Sequence, residues 1–246
     1  MHLHSRRPVL VLQHLDADGV GFFGTWMVRQ GLDFEVRNTQ AGQDFPANLD
    51  GYGGLAILGG EMSANDELPS LRRAEDLIRQ AFAAGKPTIG HCLGGQLMAR
   101  ALGCRIHPSP APEIGWQPIV VAEDSIASEW FGHSGEHRVY QWHYEASDLP
   151  AGAVRLAGNA ACPNQAFAIG NHLGMQFHIE LDLEKHGRWA QDQGARYLDA
   201  MRQFATVHGA ARMRADADLR LRAHQALADR IYARWLGHAR LFEKTR

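Results

Sequence analysis

Cys92 lies in the segment Lys86-Pro-Thr-Ile-Gly-His-Cys-Leu-Gly-Gly-Gln96, with Gly90 and Gly94 two residues to either side. A short β-branched run precedes it and a helix-compatible stretch, Gln96 to Leu102, follows. This pattern predicts a strand that turns sharply into a helix with the cysteine at the turn, a nucleophile elbow carrying a thiol. A thiol at the start of a helix faces unpaired amides and the positive end of the helix dipole, which favour the nucleophilic thiolate. Such a nucleophile needs a proton carrier, and the carrier needs an orienting group. Gly174-Met-Gln-Phe-His178-Ile-Glu180 supplies both. In an extended segment residues two apart point the same way, so His178 and Glu180 share one side and Phe177 and Ile179 the other. Cys104 and Cys162 have no comparable setting and read as structural thiols.

The elements that must position these residues follow an α/β pattern. Short apolar runs at Val9 to Leu12, Phe34 to Arg37, Leu55 to Leu58 and Thr88 to Gly90 alternate with helical stretches at Phe22 to Gln30 and Leu71 to Ala84. Between Ile119 and Ile169 the runs crowd together, predicting hairpins or a mixed edge, and the sheet ends at Gly174 to Phe177. Beyond Asp182, Leu183 to Val207 and Asp216 to Leu241 read as helices. The last places Leu219, Ala223, Leu227, Ile231 and Trp235 four apart as one apolar face. Residues 211–246 carry nine Arg or Lys against four acids, whereas residues 1–210 carry an acidic excess. The basic helix is expected to pack on its own acidic body, with docking to a partner subunit as the alternative. Two units result: a domain over residues 1–182 and a helical C-terminal extension, 183–246, packed on it.

Gly90-x-Cys92-x-Gly94-x-Gln96 together with Phe177-His178-x-Glu180 resembles the class I, triad-type, glutamine amidotransferases. The resemblance runs over roughly residues 8 to 182 and takes in Gly59-Gly60, Glu113-Ile-Gly-Trp116 and Cys162-Pro-Asn-Gln-Ala-Phe167. The chain is similar to stand-alone proteins related to the amidotransferase domain of GMP synthase. The resemblance implies a flavodoxin-like, mostly parallel sheet with helices on both faces. It further implies Cys92 as nucleophile on the glutamine amide, His178 as proton carrier and Glu180 as its orienter. The oxyanion hole would fall on the amides of Gly60 and Leu93, and Gly59, Gln96, Gln165 and Phe167 would border the substrate. The sequence departs from the family at Ile179, where proline is common, at His91, usually apolar, and at Gln141-Trp-His-Tyr-Glu145.

The implied function is hydrolysis of the glutamine side-chain amide, with ammonia passed to an acceptor enzyme on another chain. The alternatives are a stand-alone hydrolase of γ-glutamyl amides or peptides and a catalytically silent regulatory subunit. No pyrophosphate loop or P-loop for activating an acceptor occurs in these residues.

Several other classes are disfavoured. With 25 basic against 27 acidic side chains there is no net field to gather nucleic acid. No apolar run approaches the length of a membrane span, and Val9 to Leu12 is too short for a signal-peptide core. Three cysteines cannot close a disulfide framework, so a reducing, cytoplasmic setting is expected, with self-association left open. Gly19-Val-Gly21-Phe-Phe-Gly24 matches a dinucleotide fingerprint, but Asp16 and Asp18 would meet the pyrophosphate, so no cofactor is expected. His133 and His137 have a ligand-like spacing without a completing cluster, so no metal is expected either.

Overall fold

The computed structural model describes residues 7–191 and 194–237. Its first half alternates β1 (Val9–Gln13), α1 (Gly21–Arg29), β2 (Phe34–Asn38), β3 (Gly54–Ile57), α2 (Pro69–Ala83), β4 (Thr88–His91) and α3 (Leu93–Ala101). The second half runs β5 (Ile106–Val121), α4 (Ser125–Phe131), β6 (Gly135–Ser147), β7 (Val154–Gly158), β8 (Ala166–Ile169), β9 (His172–Met175), α5 (Leu183–Trp189), α6 (Ala195–Gln203) and α7 (Ala210–Gly237). All the strands join one sheet in the order β2-β1-β3-β4-β9-β8-β7-β5-β6. From β2 to β9 the pairings are parallel; from β9 to β6 they are antiparallel. The fold is the expected α/β architecture with helices on both faces.

The strands β1, β3 and β4 are buried along their whole length, because helices cover both faces of a parallel sheet, and β1 and β3 are accordingly near-continuous apolar runs. One face packs against α1, α4 and the second half of α7 through Phe23, Trp26, Trp130, Ile231, Tyr232 and Trp235. The other packs against α2 and α3 through Leu71, Leu77, Ile78, Leu97 and Met98. A third cluster joins β5 and β6 to α5, α6 and the first half of α7 through Trp116, Tyr140, Tyr197, Met213 and Leu221. Among the described residues no helix is long and apolar enough to cross a membrane.

Three elements differ from the sequence expectation. The region read as short runs after Ile119 holds one long hairpin of β5 and β6, with α4 in its connection. Pro108, Pro110, Pro112 and Pro118 hide β5 in the sequence. They are tolerated because β5 meets β7 only at Val120 and Val121, and the register with β6 shifts between Pro108 and Glu113. The helix expected over 183–207 is two, α5 ending at Trp189 and α6 beginning at Ala195, with the Asp182 side chain capping α5 through Lys185 N at 2.7 Å.

The buried face of α7 is the third difference. It runs through Met213, Ala217, Leu221, His224, Ala228, Ile231 and Trp235, while Leu219 is 78% exposed. A constant step of four drifts around a helix of 3.6 residues per turn, so the true stripe alternates steps of three and four. That stripe is covered by the chain's own body, while Arg212, Arg214 and Arg222 of the same helix are exposed. Arg234 donates to Glu129 Oε2 at 2.5 Å and lies 5.0 Å from the Trp130 ring, and Arg29 of α1 pairs with Asp229. The expected helix end, 238–241, lies outside the described residues.

Since Trp235 is fully buried between α7 and the sheet, Trp235→Ala is expected to cost about 3–5 kcal/mol in urea unfolding. Leu219→Ser should change the midpoint by no more than about 0.5 kcal/mol equivalent, since its side chain faces solvent. Equal effects of the two substitutions would contradict the packing of α7.

Candidate active site

The elbow is formed as the glycine spacing requires. Cys92 adopts φ 50° and ψ −109° as the residue before α3, the one described non-glycine residue with positive φ. A Cβ on Gly90 would fall 2.5 Å from the Gly94 carbonyl carbon, and one on Gly94 would fall 2.3 Å from Ile57 O. A side chain at Gly90 would push α3 off β4 and one at Gly94 would push it off β3, opening the turn. The Cys92 amide donates to Met175 O at 2.9 Å, which ties the elbow to the end of the neighbouring strand β9.

Just past that strand end the chain bends, and His178 and Glu180 lie in the bent segment rather than on the strand itself. Their side chains still meet: His178 Nδ1 donates to Glu180 Oε1 at 2.7 Å, with both residues almost wholly buried. That bond keeps the Nδ1 proton in place and leaves Nε2 as the nitrogen that can gain or lose one. Nε2 is buried and, among the described residues, makes no hydrogen bond of ordinary geometry. His178 and Cys92 line the same cleft, of about 400 Å³, together with Asp18, Trp142, Arg188 and Trp189.

Burial opposes charge on the His178 imidazole, but the Glu180 carboxylate and then the Cys92 thiolate outweigh it and hold its pKa up at about 10. Burial likewise opposes ionisation of Glu180, yet Lys185, then His178 and His91, keep its carboxyl well below the usual range. The arrangement therefore favours imidazolium beside carboxylate. The other cysteines differ in kind: burial, with Glu113 nearby, pushes the Cys162 thiol up to about 12, and burial and Asp148 raise Cys104.

A second cleft, of about 360 Å³, shares Gly60, Glu61, Cys92 and Trp142 with the first and is lined further by Ser63, Gln96, Glu145, Arg196 and Tyr197. Gln96 donates from Nε2 to Glu145 O at 3.0 Å and to Gln176 Oε1 at 3.2 Å. Gly60 borders both clefts and packs against the Leu93 side chain, so close that a Cβ would fall 2.8 Å from Leu93 Cδ2. The Leu93 amide is in the first turn of α3, where helix geometry supplies no intrahelical acceptor.

Three of the expected substrate-side residues line neither cleft. Gly59 lies behind the wall, where a Cβ would strike Asp18 Oδ2 at 2.3 Å and His178 Cε1 at 2.9 Å. Gln165 is turned into the interior, accepting from Gln141 Nε2 at 2.8 Å and donating to Glu113 Oε2 at 2.5 Å. Phe167 lies under β9 with its ring against Gly174. The structure adds Gln176, whose Nε2 donates to Cys92 Sγ at 3.6 Å, while the thiol points to Trp142 O at 3.5 Å. Gln176 was legible in principle, since it sits two residues before His178 in the same alternating series.

The dinucleotide-like glycines serve packing. Gly21 has φ 48°, and a Cβ there would fall 2.2 Å from Glu180 O, which accepts from Phe22 N at 2.8 Å. That glycine lets α1 abut the His178–Glu180 segment. His91 also has a structural place: Nδ1 donates to Ile57 O at 3.3 Å and Nε2 accepts from Tyr232 of α7 at 3.2 Å. The rings of His133 and His137 stack on each other 4.1 Å apart at the start of β6.

A thiol on a strained elbow, with a carboxylate-backed imidazole just past the end of the adjacent parallel strand, has the composition that cysteine-based acyl transfer requires, here on an α/β sheet. The comparisons with known proteins agree with that class. The family profile for class I glutamine amidotransferases matches residues 25–193. The chain belongs to the class I glutamine amidotransferase family. It is 29% identical over 226 residues to the glutamine amidotransferase-like protein YfeJ of Salmonella typhimurium, covering 89% of this chain and 92% of that protein. It is 30% identical over 134 residues to the GMP synthase of Aeropyrum pernix, but this match covers 54% of the chain and only 26% of that enzyme. A crystal structure of a glutamine amidotransferase from Methylobacillus flagellatus superposes with a TM-score of 0.91 at 34% identity, over 98% of both chains. One from Thermotoga maritima gives 0.82 at 26% identity, over 95% and 99%.

The charge state of His178 is open to direct measurement. In histidine-labelled protein its NMR titration midpoint is expected near 10, above the 6.5 of an unperturbed imidazole. A raised folded-state value means that this group stabilises the fold fully below about pH 6.5 and loses that contribution as pH rises through about 10. Cys92→Ala should lower the midpoint, because the thiolate charge is gone; an unchanged value would place the thiol outside the imidazole's surroundings.

Proposed function

We propose that the chain hydrolyses the side-chain amide of glutamine through a γ-glutamyl thioester on Cys92. The observation that carries this reading is the strained Cys92 turn opening on the same cleft as His178, with Glu180 behind it at 2.7 Å. The thiolate attacks the amide carbon and the electron pair moves onto oxygen, where the amides of Gly60 and Leu93 accept the developing charge. The His178 imidazolium then protonates the departing nitrogen, ammonia leaves, and the thioester remains. Neutral His178 takes a proton from water, hydroxide adds to the thioester, the C–S bond breaks to restore thiolate beside imidazolium, and the new γ-carboxyl of the departing glutamate gives its proton to solvent.

The amino-acid part of the substrate is assigned to the cleft with Gln96, Glu145 and Arg196, because the leaving group must face His178, which lines the other cleft. Ammonia is reactive only where an electrophile waits for it. We assign that electrophile to a separate acceptor enzyme, a reading supported by the limited overlap with GMP synthases. A second reading is favoured by one observation: the cleft on the His178 side, at about 400 Å³ and walled by Trp142 and Trp189, is far larger than ammonia needs. A γ-glutamyl amide with an apolar amine substituent would fill it, making the chain a stand-alone hydrolase.

Purified protein should release ammonia from glutamine, and Cys92→Ala should abolish the activity while leaving the melting temperature within a few degrees of wild type. A diazo-ketone analogue of glutamine should attach at Cys92 and at neither Cys104 nor Cys162. Glu180→Gln should lose less activity than His178→Ala, by roughly one to two orders of magnitude, since a carboxylate orients but does not transfer the proton. An active Cys92→Ala protein would refute the mechanism. Faster turnover of γ-glutamyl anilides than of glutamine would select the second reading.

A further inference from the structure

Behind the His178–Glu180 pair lies a charge that the hydrolysis described above does not use. Lys185, in the first turn of α5, is 1% exposed. Its Nζ donates to Glu180 Oε1 at 2.9 Å and to Gly19 O at 3.0 Å, and it pairs with the carboxylate of Asp18. The ring of Trp189 covers it at 5.0 Å. A lysine removed from water this completely is costly unless its charge is matched, and here two carboxylates and a carbonyl match it. The ligand atoms of Asp18, His178 and Glu180 all lie within 4.8 Å of one another, the setting of a cation site, and the Lys185 ammonium is the cation that fills it.

The geometry has a consequence for Glu180. A single oxygen, Oε1, accepts from both His178 Nδ1 and Lys185 Nζ, so rotation of the carboxylate would break two charge-assisted bonds at once. Asp18 is itself immobilised: it belongs to the 3-10 turn Asp16–Asp18 and is wedged beside Gly59 against the edge of the His178 ring. The other groups facing Glu180 are His91 from β4, whose Nε2 is 4.0 Å from Oε2, and, from α7, Tyr232 and His224. Burial lowers the pKa of both histidines and raises that of the tyrosine, so all three favour their neutral forms. Lys185 is therefore the permanent cation at the orienting carboxylate.

We propose that Lys185 and Asp18 form a positioning pair for the Cys92 site: Lys185 locks Glu180 in the orientation that aligns His178 and keeps it ionised, and Asp18 holds Lys185 in place. The inference rests on the reading of Glu180 as the orienter of His178. It assigns work to the Asp16-x-Asp18-Gly19 segment, which precedes the dinucleotide-like glycines, and to a helix beyond the bent segment that carries His178.

The test uses a readout that a purely structural ion pair would not move, the pH dependence of Cys92 alkylation by iodoacetamide. In Lys185→Met, Glu180 loses its cation and takes up a proton at higher pH, and His178 then loses the charge that supports it beside the thiolate. The low-pH limb of alkylation should rise by about one pH unit, and kcat for glutamine should fall more than KM changes. Asp18→Asn combined with Lys185→Met removes the stranded carboxylate as well. This double variant should recover the melting temperature but keep the raised limb. It also serves if the single variant fails to fold. A wild-type limb in either folded variant overturns the proposal. Alkylation does not depend on glutamine being the substrate. A shifted limb in a protein that leaves glutamine intact would retire the proposed function alone, and an unshifted limb with normal glutamine hydrolysis would retire only the positioning pair.

Discussion

Cys92 is held at φ 50° and ψ −109°, a backbone conformation that side chains with a Cβ avoid and that costs about 1–3 kcal/mol. What surrounds it can be understood as the means of keeping it there. Its amide is bound to Met175 O and its carbonyl accepts from Gln96 N at 3.0 Å, so β9 grips it on one side and α3 on the other. Glycines at 90, 94 and 95 remove the Cβ atoms that would collide with Gly94, Ile57 and Met175. Because Met175 is the residue that grips the elbow, the next few residues of the chain deliver His178 to the same cleft. Strain at Cys92 and proximity of His178 thus have one cause, the pairing of β4 with β9.

The buried charge is handled by elements distant in sequence. Glu180 is surrounded by Lys185 from α5, Asp18 from the turn after β1, and His91 from β4, a concentration of ionisable groups that would be destabilising if any member lacked its partner. Helix α7 backs this cluster from the other side. His224 Nε2 donates to His178 O at 2.9 Å, and Tyr232 reaches His91 across the core. The C-terminal helix is accordingly in contact with the segments that carry Cys92 and His178 as well as with the apolar core, through His224 and Tyr232.

The sequence by itself determined what short-range backbone rules govern. Gly-x-Cys-x-Gly after an apolar run admits few structures other than a strand-to-helix elbow, and an i, i+2 histidine and glutamate pair meets even though the chain bends after Met175 and leaves the strand. The apolar runs marked the parallel strands because full burial on both faces leaves no room for polar alternation. The tertiary structure alone decided what depends on residues far apart. Proline-rich β5 is a strand only because its partner hairpin and a mostly open edge tolerate missing amides. Gln165 and Phe167 turn inward because Glu113 and Gly174 wait beneath them, and the buried stripe of α7 is selected by the surface it meets. Lys185 and Asp18 carry no local signal at all, since a buried ion pair is defined by the loss of water around it. No window of sequence records that loss, which arises only when segments more than 160 residues apart close over the same few atoms.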